Sequence, residues 1–217
     1  MTTTHICRII PALLCLAIPG LAQERWELGL SAGYGFHKNL TATNRTGEAS
    51  VGFKPGVAFS IFGSDQINGW LAGEARYTYR QNDAWVAARG TESRFDAESH
   101  VFHYDLIFPV ARRSAVVRPF FAVGGGVKVY RGTGREAAFQ PLSNFAVLTR
   151  ATQIVPVISA GGGVKVELSR LITLRVEARD YISTFPSEVI APVPSARVHG
   201  WLHDFVPMIG LSFRLGR

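Results

Sequence analysis

Apolar side chains alternate with small or polar ones along eight separate segments of this chain, and no other feature limits its fold as strongly. In the first segment, residues 26–36, Leu28 lies on the apolar face and Gly29 on the opposite one. A period of two residues is typical of a β-strand whose faces meet different environments. The pattern recurs over residues 51–63, 70–80, 99–108, 118–131, 153–168, 171–182 and 203–215. The sequence therefore predicts an all-β fold with eight strands.

Strand length and the order of the connections favour a membrane barrel over a soluble β-sandwich, whose strands also alternate. The segments exceed the roughly five to six residues typical of soluble strands and reach the about nine to eleven that a tilted membrane strand needs. We predict an eight-stranded antiparallel up-and-down transmembrane β-barrel, with the long connections outside the cell and the short ones in the periplasm. The long connections are residues 37–50, 81–97, 132–152 and 183–202.

Aromatic residues on the apolar face fall into two layers when successive strands run in opposite directions. The outer layer contains Tyr34, Phe36, Phe53, Tyr77, Tyr79, Phe102, Tyr104 and Phe205, and the inner layer contains Trp26, Phe59, Phe108, Phe121 and Phe213. Aliphatic and small residues lie between the layers. Two aromatic girdles around an aliphatic band match a bilayer and not a sandwich core, so this face is predicted to meet lipid.

The start of the chain has the features of an export signal. Arg8 supplies a positive charge, an apolar run follows, and Ala22 ends a cleavage site of small residues. We predict a signal peptide over residues 1–22, cleaved after Ala22, and an outer-membrane β-barrel domain over residues 23–217. Both cysteines lie in the signal, so the mature chain is expected to have no disulfide, thiol nucleophile or thiolate metal site.

The net charge of +7 does not indicate a nucleic-acid partner. An exported chain does not meet nucleic acid, and the longest basic run is Arg112-Arg113. Anionic lipid head groups fit an envelope location better. We therefore expect outer-membrane lipid and lipopolysaccharide as partners, and no nucleic acid.

Charged residues concentrate on the inner face of the predicted barrel. Seven cations (Arg76, Arg80, Lys128, Lys165, Arg175, Arg179 and Arg214) oppose four carboxylates (Glu74, Asp105, Glu167 and Glu177). An eight-stranded barrel is just wide enough for side chains to fill it, and buried charges must pair. We predict a salt-bridged plug in which Glu74, Glu167 and Glu177 engage several of the cations. A narrow, weakly anion-selective leak is the alternative.

Four stretches carry a family resemblance: the paired glycine-rich segments 122–129 and 160–166, the stretch 174–181, and the ending 208–215. They resemble the small eight-stranded outer-membrane β-barrel family related to OmpA, OmpX and OmpW. In the ending, Gly210, Phe213 and Leu215 match the last-strand signal read by the barrel assembly machinery, although Gly216-Arg217 replaces a terminal aromatic. The resemblance implies the outer membrane of a Gram-negative-type bacterium and the assembly machinery as a partner during biogenesis.

Two of the long connections are rich in apolar residues. One contains Phe139, Leu142 and Phe145, and another contains Phe185 and Ile190. Such residues either extend the hairpins above the membrane or form a surface that binds a hydrophobic ligand or an extracellular partner.

The function predicted from these features is a non-enzymatic one, structural or surface-binding, with no cofactor, metal or catalytic residue. A small pore or hydrophobic-compound channel resembling OmpW is the alternative. A lipid-modifying enzyme is a third hypothesis, but the deacylases of this architecture need a His-x-Ser pair, which is absent after the signal. His103 and Asp105 have the spacing of an acid–base pair, yet no serine is placed by the sequence to complete a triad.

Overall fold

The computed structural model describes residues 26–45, 47–111 and 115–215. The predicted signal peptide and its cleavage site after Ala22 lie outside the described residues, as do Arg112-Arg113 and Gly216-Arg217. The described part of the chain is all β, and none of it forms a helix that could cross a membrane. Its strands are β1 (Trp26–His37), β2 (Leu40–Asn44), β3 (Gly47–Phe53), β4 (Gly56–Gln66), β5 (Ala72–Gln81), β6 (Ala84–Ala88), β7 (Thr91–Phe95), β8 (Ala97–Pro109), β9 (Val117–Gly132), β10 (Ala146–Leu148), β11 (Thr152–Glu167), β12 (Ile172–Ser183), β13 (Ile190–Pro192), β14 (Arg197–Val198) and β15 (Leu202–Leu215).

Eight of these strands form a closed antiparallel barrel. Their order around the barrel is β1, β15, β12, β11, β9, β8, β5 and β4, and β1 pairs with both β15 and β4. Closure gives each strand two hydrogen-bonded neighbours, which a sheet surrounded by lipid requires because lipid offers no hydrogen bonds. The predicted eight-stranded up-and-down barrel is confirmed.

The second barrel strand begins later than predicted. The alternation predicted one strand over residues 51–63, but β3 ends at Phe53 and β4 begins at Gly56. Pro55 has no backbone N–H to donate to a ladder, so the strand is interrupted at this point. Phe53 is buried and stacks on Tyr130, with 5.0 Å between the ring centroids. Its predicted place in the lipid-facing girdle is therefore wrong.

The outward face of the barrel is apolar and exposed. Phe121 and Ile209 each have more than half of their surface exposed, as expected for side chains that lipid covers. Phe59 also faces outwards, but it pairs with Tyr79 of the outer aromatic layer. The prediction that Phe59 belongs to the inner layer is wrong, because the strand that carries it starts at Gly56.

The long connections pack together at one end of the barrel, and we call their described residues the cap: 38–45, 47–55, 82–96, 133–151 and 184–201. The cap contains a five-stranded sheet in the order β14, β2, β3, β6, β7 and a two-stranded sheet of β10 and β13. Val51, Val86 and Phe145 belong to its hydrophobic core, which continues onto Tyr130 and Leu202 of the barrel. The opposite end, called the turn end, carries the short connections.

Candidate functional site

Five charged side chains meet inside the barrel, and we call them the central ion cluster: Glu74, Arg76, Arg175, Glu177 and Arg179. Glu74 accepts hydrogen bonds from Arg76 at 2.9 Å, Arg175 at 2.5 Å and Arg179 at 3.2 Å. Glu177 lies 2.6 Å from Arg76, 3.0 Å from Arg175 and 3.1 Å from Arg179. All five side chains are fully buried. Each guanidinium therefore contacts both carboxylates, which offsets the cost of burying the charges.

The alternation of the two strands brings these residues together. Glu74 and Arg76 are two residues apart on β5, and the other three occupy every second position of β12. Each set therefore points into the lumen. β5 and β12 are four strands apart in either direction around the eight-membered ring. The pairs of Glu74 with Arg175 and Arg179, like the pair of Arg76 with Glu177, consequently cross the full width of the barrel.

Asp105 extends this network to β8 and β11. It accepts hydrogen bonds from Arg179 and, at 3.3 Å, from the Ser159 hydroxyl, and it lies 2.9 Å from His103 Nδ1. The carboxylate stands between the serine and the histidine, whereas a nucleophilic serine must contact its base directly. The three side chains thus act as members of the ion network in the lumen.

Two phenylalanine rings lie beside the central ion cluster on the side of the turn end. Arg175 Cζ lies 4.6 Å from the ring centroids of both Phe62 and Phe120. These distances are within the range of cation–π attraction, which adds to the stabilisation of a buried guanidinium. Closer to the turn end, Lys165 Nζ donates a hydrogen bond to Glu27 at 2.8 Å.

A second group, the cap-side ion cluster, surrounds Asp204 near the start of β15. Asp204 accepts hydrogen bonds from Arg80 and, at 2.8 Å, from Lys128, and His37 Nε2 lies 3.5 Å away. All four side chains are fully buried. An apolar cluster that includes Val101, Val157, Tyr181 and Val206 lies between the two ion clusters along the strands.

Sequence reasoning missed two carboxylates of the lumen, Glu27 and Asp204. The alternation already assigns them to the inner face, because Glu27 follows the outward Trp26 and Asp204 precedes the outward Phe205. Glu27 pairs with Lys165, and Asp204 pairs with Arg80 and Lys128. The seven cations counted on the inner face outnumber the four carboxylates by three. Glu27 and Asp204 provide partners for three of these cations.

Glu167 does not belong to the plug. It is the last residue of β11, and its partner is Arg214, at 2.7 Å. Both side chains are partly exposed. The expected pairing of Glu167 with one of the seven cations is observed, but its expected place in the plug is wrong, because its strand ends before its side chain can reach the enclosed lumen.

Most of the apolar residues singled out in the long connections are buried, and one is exposed. Leu142, Phe145 and Ile190 are buried in the core of the cap, and Phe185 packs against that core. Of the two alternatives for these four residues the first holds: they extend and cover the end of the barrel, and their burial removes them from a binding surface. Phe139 is 77% exposed.

Hydrogen bonds from its neighbours hold the segment that carries Phe139. Glu136 accepts a hydrogen bond from the backbone N–H of Arg150 at 2.7 Å. The Gln140 amide bonds both the carbonyl oxygen and the N–H of Leu148, at 2.8 and 2.9 Å. Phe139 therefore projects from a segment anchored on both of its sides.

The residues of the predicted assembly signal lie on both faces of β15. Phe213 and Leu215 are outward and exposed. Gly210 faces inwards, and a Cβ added there would lie 2.3 Å from the carbonyl oxygen of Leu30 on β1. Gly210 thus has a packing role at the seam that closes the barrel, while recognition by the assembly machinery remains a prediction.

Two histidines of β8, His100 and His103, are three residues apart and point to opposite faces of the strand. His100 is outward and His103 is inward, so the two imidazoles cannot converge on one ion. In the part of the chain that the structure describes, no group of three or more His, Cys, Asp or Glu side chains could hold a metal ion.

Comparison with known proteins adds support for the fold. No protein-family model and no curated protein sequence matches the chain. Neisserial surface protein A (NspA) has a similar solved structure, with a TM-score of 0.53, 13% identity, and coverage of 88% of this chain and 97% of that one. Outer membrane protein AlkL gives a TM-score of 0.47 at 14% identity, covering 100% and 98%. Ail of Yersinia pestis gives 0.46 at 10%, covering 88% and 99%. The similarity to NspA shows that the chain has the fold of a small outer-membrane β-barrel.

Proposed function

Starting from this shared fold, we propose that the chain is a non-enzymatic outer-membrane protein of a Gram-negative-type bacterium that binds a surface partner through its cap. The observation that carries the proposal is the anchored, exposed Phe139 on a cap whose other large apolar side chains are mostly buried. The apolar outward face supports the membrane location, and long loops of such barrels lie outside the cell.

The lumen contacts support a surface role over transport. An ion moving along the axis would have to separate the central ion cluster, where Glu74 and Arg175 meet across the barrel. It would then pass a layer in which Val101 lies beside the hydrogen-bonded hydroxyls of Tyr181 and Thr78 before reaching the cap-side ion cluster. Breaking a buried ion pair costs about 3–5 kcal/mol. The pore alternative therefore receives no support from these contacts.

Phe139 has the properties of a binding anchor. Interfaces depend on a few large side chains that fill pockets of the partner, and Phe139 is a large apolar side chain that is free to do so. Because Glu136 and Gln140 hold its segment, little conformational entropy would be lost when a partner covers the ring. We therefore assign the binding role to the surface around Phe139.

Planar-bilayer recordings test the closed lumen. We expect the folded barrel to show no discrete conductance steps, whereas a paired Glu74→Ala and Arg175→Ala variant, which removes the bridge and leaves a gap, should conduct if it still folds. Heat-dependent gel migration of both proteins verifies folding. Discrete steps from the unaltered protein that change with Arg76→Ala would overturn the closed lumen and restore the pore hypothesis.

Site-specific photo-crosslinking tests the surface role. Intact cells that carry a photoreactive phenylalanine analogue at position 139 are exposed to host or environmental protein mixtures and irradiated. The analogue at position 139 should yield adducts, whereas the same analogue at the exposed position 143 should not. The same adducts should disappear when unlabelled protein competes, but persist when the competitor carries Phe139→Ser. Equal crosslinking at positions 139 and 143, or equal competition by the two proteins, would contradict the assignment.

A further inference from the structure

One positive charge of the cap-side ion cluster is not balanced by a carboxylate. The central ion cluster and Asp105 together place three guanidinium groups against three carboxylates. Among the described residues, by contrast, Arg80 and Lys128 have only Asp204 as a carboxylate partner. These side chains are fully buried, so water does not screen the excess charge. The cap end of the lumen is therefore suited to one further negative charge.

Arg80 also has hydrogen-bond donors that no described residue accepts. Its Nη1 donates to Asp204 and lies 3.2 Å from His37 Nε2. Its Nε and Nη2 are buried and have no hydrogen-bond partner among the described residues. These two nitrogens form the edge of a guanidinium that binds anions through two parallel hydrogen bonds. The edge of Arg80 best suited to an anion is thus available to a ligand.

Asn82 adds a third donor on the same side of the strand. It follows β5 directly, and its backbone N–H donates to the carbonyl oxygen of Ala97 at 3.1 Å, so the pairing with β8 continues through it. Its Oδ1 accepts a hydrogen bond from the Ser99 hydroxyl at 3.3 Å, while its buried Nδ2 has no partner among the described residues. Because side chains two residues apart on a strand share a face, Arg80 and Asn82 can reach a common ligand.

Two glycines leave room beside these donors. Gly35 of β1 and Gly56 of β4 are paired across their strands and share the inner face. A Cβ added at Gly35 would lie nearer to Arg80 Cζ than to Arg80 Nε, which places it over the flat face of the guanidinium. Gly35 therefore packs against that face and leaves the edge formed by Nε and Nη2 uncovered.

Aromatic rings of the cap and the barrel cover this end of the lumen. The Phe53 ring centroid lies 5.5 Å from that of His37 and 5.0 Å from that of Tyr130. Lys128 Nζ lies 4.7 Å from the Tyr130 centroid. In such a low-dielectric environment a cation attracts a small anion more strongly than it does in water. A water molecule could accept the free hydrogen bonds, but it would leave the excess charge uncompensated.

We infer that Arg80 and Asn82 form a binding site for one chloride ion in the lumen beneath the cap. Arg80 Nε, Arg80 Nη2 and Asn82 Nδ2 would donate hydrogen bonds to the ion. A monovalent anion balances the single excess charge, whereas a divalent one would reverse it. The inference goes beyond the surface role proposed above and does not depend on it.

Thermal unfolding of the protein in lipid vesicles, followed by heat-dependent gel migration, tests the site. The ionic strength is held constant while potassium chloride replaces potassium gluconate. An anion that binds only the folded state raises the thermal midpoint as its concentration passes the dissociation constant. We expect the midpoint of the unaltered protein to rise with the logarithm of the chloride concentration. The same midpoint in chloride and in gluconate would overturn the inference.

Asn82→Asp places the missing negative charge in the chain itself. The carboxylate keeps an acceptor for Ser99 and puts its second oxygen where the amide nitrogen was. We expect this variant to unfold at a higher midpoint than the unaltered protein in gluconate, and to lose the chloride-dependent rise. A rise in Asn82→Asp equal to that of the unaltered protein would contradict the site.

Arg80→Met removes the excess charge instead of balancing it. Lys128 remains paired with Asp204 at 2.8 Å, so the cluster becomes neutral and the barrel should still fold. This variant should also lose the chloride-dependent rise. Asn82→Ala keeps the guanidinium and removes one donor, so it should need about tenfold more chloride for the same rise, the size of one hydrogen bond to a charged group.

The matched control is Arg214→Met, which removes a partly exposed arginine at the turn end. It should keep the chloride-dependent rise of the unaltered protein. Equal loss of the rise in Arg214→Met and Arg80→Met would reveal a general effect of salt on the barrel and would overturn the assignment to Arg80 and Asn82.

Discussion

Glu74 and Arg175 belong to strands on opposite sides of the barrel, yet Glu74 Oε2 lies 2.5 Å from Arg175 Nη1. Backbone hydrogen bonds join each strand only to its two neighbours. The Glu74–Arg175 contact instead connects β5 directly to β12 through the interior. Ion pairs in the lumen therefore stabilise the barrel in a direction that the backbone ladder does not.

Replacing Glu74 should destabilise the barrel strongly. Glu74→Gln keeps the volume but leaves three buried guanidiniums with Glu177 and Asp105 as their remaining carboxylates. Removing one member of a buried ion network costs about 3–5 kcal/mol of unfolding free energy. Urea-induced unfolding in lipid vesicles, followed by tryptophan fluorescence, measures the change.

Glu167→Gln is the matched control for that substitution. Its pair with Arg214 is partly exposed at the turn end, so the loss should be within about 1 kcal/mol. Equal effects of Glu74→Gln and Glu167→Gln would mean that the central ion cluster is no more important than a surface pair.

Replacing Asp204 should lower the stability of the barrel, and a second substitution should recover part of the loss, because Asp204 is the shared partner of two cations. Asp204→Asn leaves Arg80 and Lys128 buried without their carboxylate, and the thermal midpoint should fall. Adding Lys128→Met removes one of the uncompensated charges and should recover part of the loss. Thermal scans of the single and double variants measure this coupling. A double variant less stable than Asp204→Asn alone would show that Lys128 does not depend on Asp204.

The period of two residues predicted the inner face of the lumen, and together with strand length, the order of the connections and the aromatic layers it predicted the closed barrel. Glu74, Arg76, Arg175 and Arg179 all point inwards as predicted. The alternation does not determine which of them meet, because the pairs join strands that are not neighbours. Glu27 and Asp204 each lie next to an aromatic residue that marks the outward face. Because neighbouring residues of a strand point to opposite faces, both could have been identified as inward from the sequence.

The cap could not be predicted in the same way. In the alternation of the sequence, Phe53 falls on the same face as the outward residues of β4. The break at Pro55 does not shift that alternation. Periodicity therefore cannot distinguish a lipid-facing phenylalanine from one buried in a cap. Likewise, the burial of Leu142 and Ile190 depends on contacts between connections that are distant in sequence.

Glu92 in β7 should titrate below its usual range. Hydrogen bonds from Lys54 and then Arg94 lower the pKa of its carboxyl from 4.5. Because the folded pKa is depressed, this contribution to stability is present above pH 4.5 and is lost as the pH falls through the folded pKa. NMR titration of the Glu92 side chain measures the pKa directly, and Lys54→Met should raise it towards 4.5. An unchanged pKa in Lys54→Met would show that the contact is absent in solution.

Phe53 provides the sharpest test that the cap is a packed body. Phe53→Ala removes a buried ring that stacks on Tyr130 and should cost the cap about 3–5 kcal/mol, as for other large buried aromatics. The barrel ladder should persist, since β4 begins at Gly56. Limited proteolysis should therefore cut the cap of Phe53→Ala while heat-dependent gel migration still reports a folded barrel. Phe36→Ala is the control, because Phe36 is about half exposed on the outward face and should leave the cap resistant. Equal resistance of the two variants would show that Phe53 faces lipid, as the periodicity alone predicted.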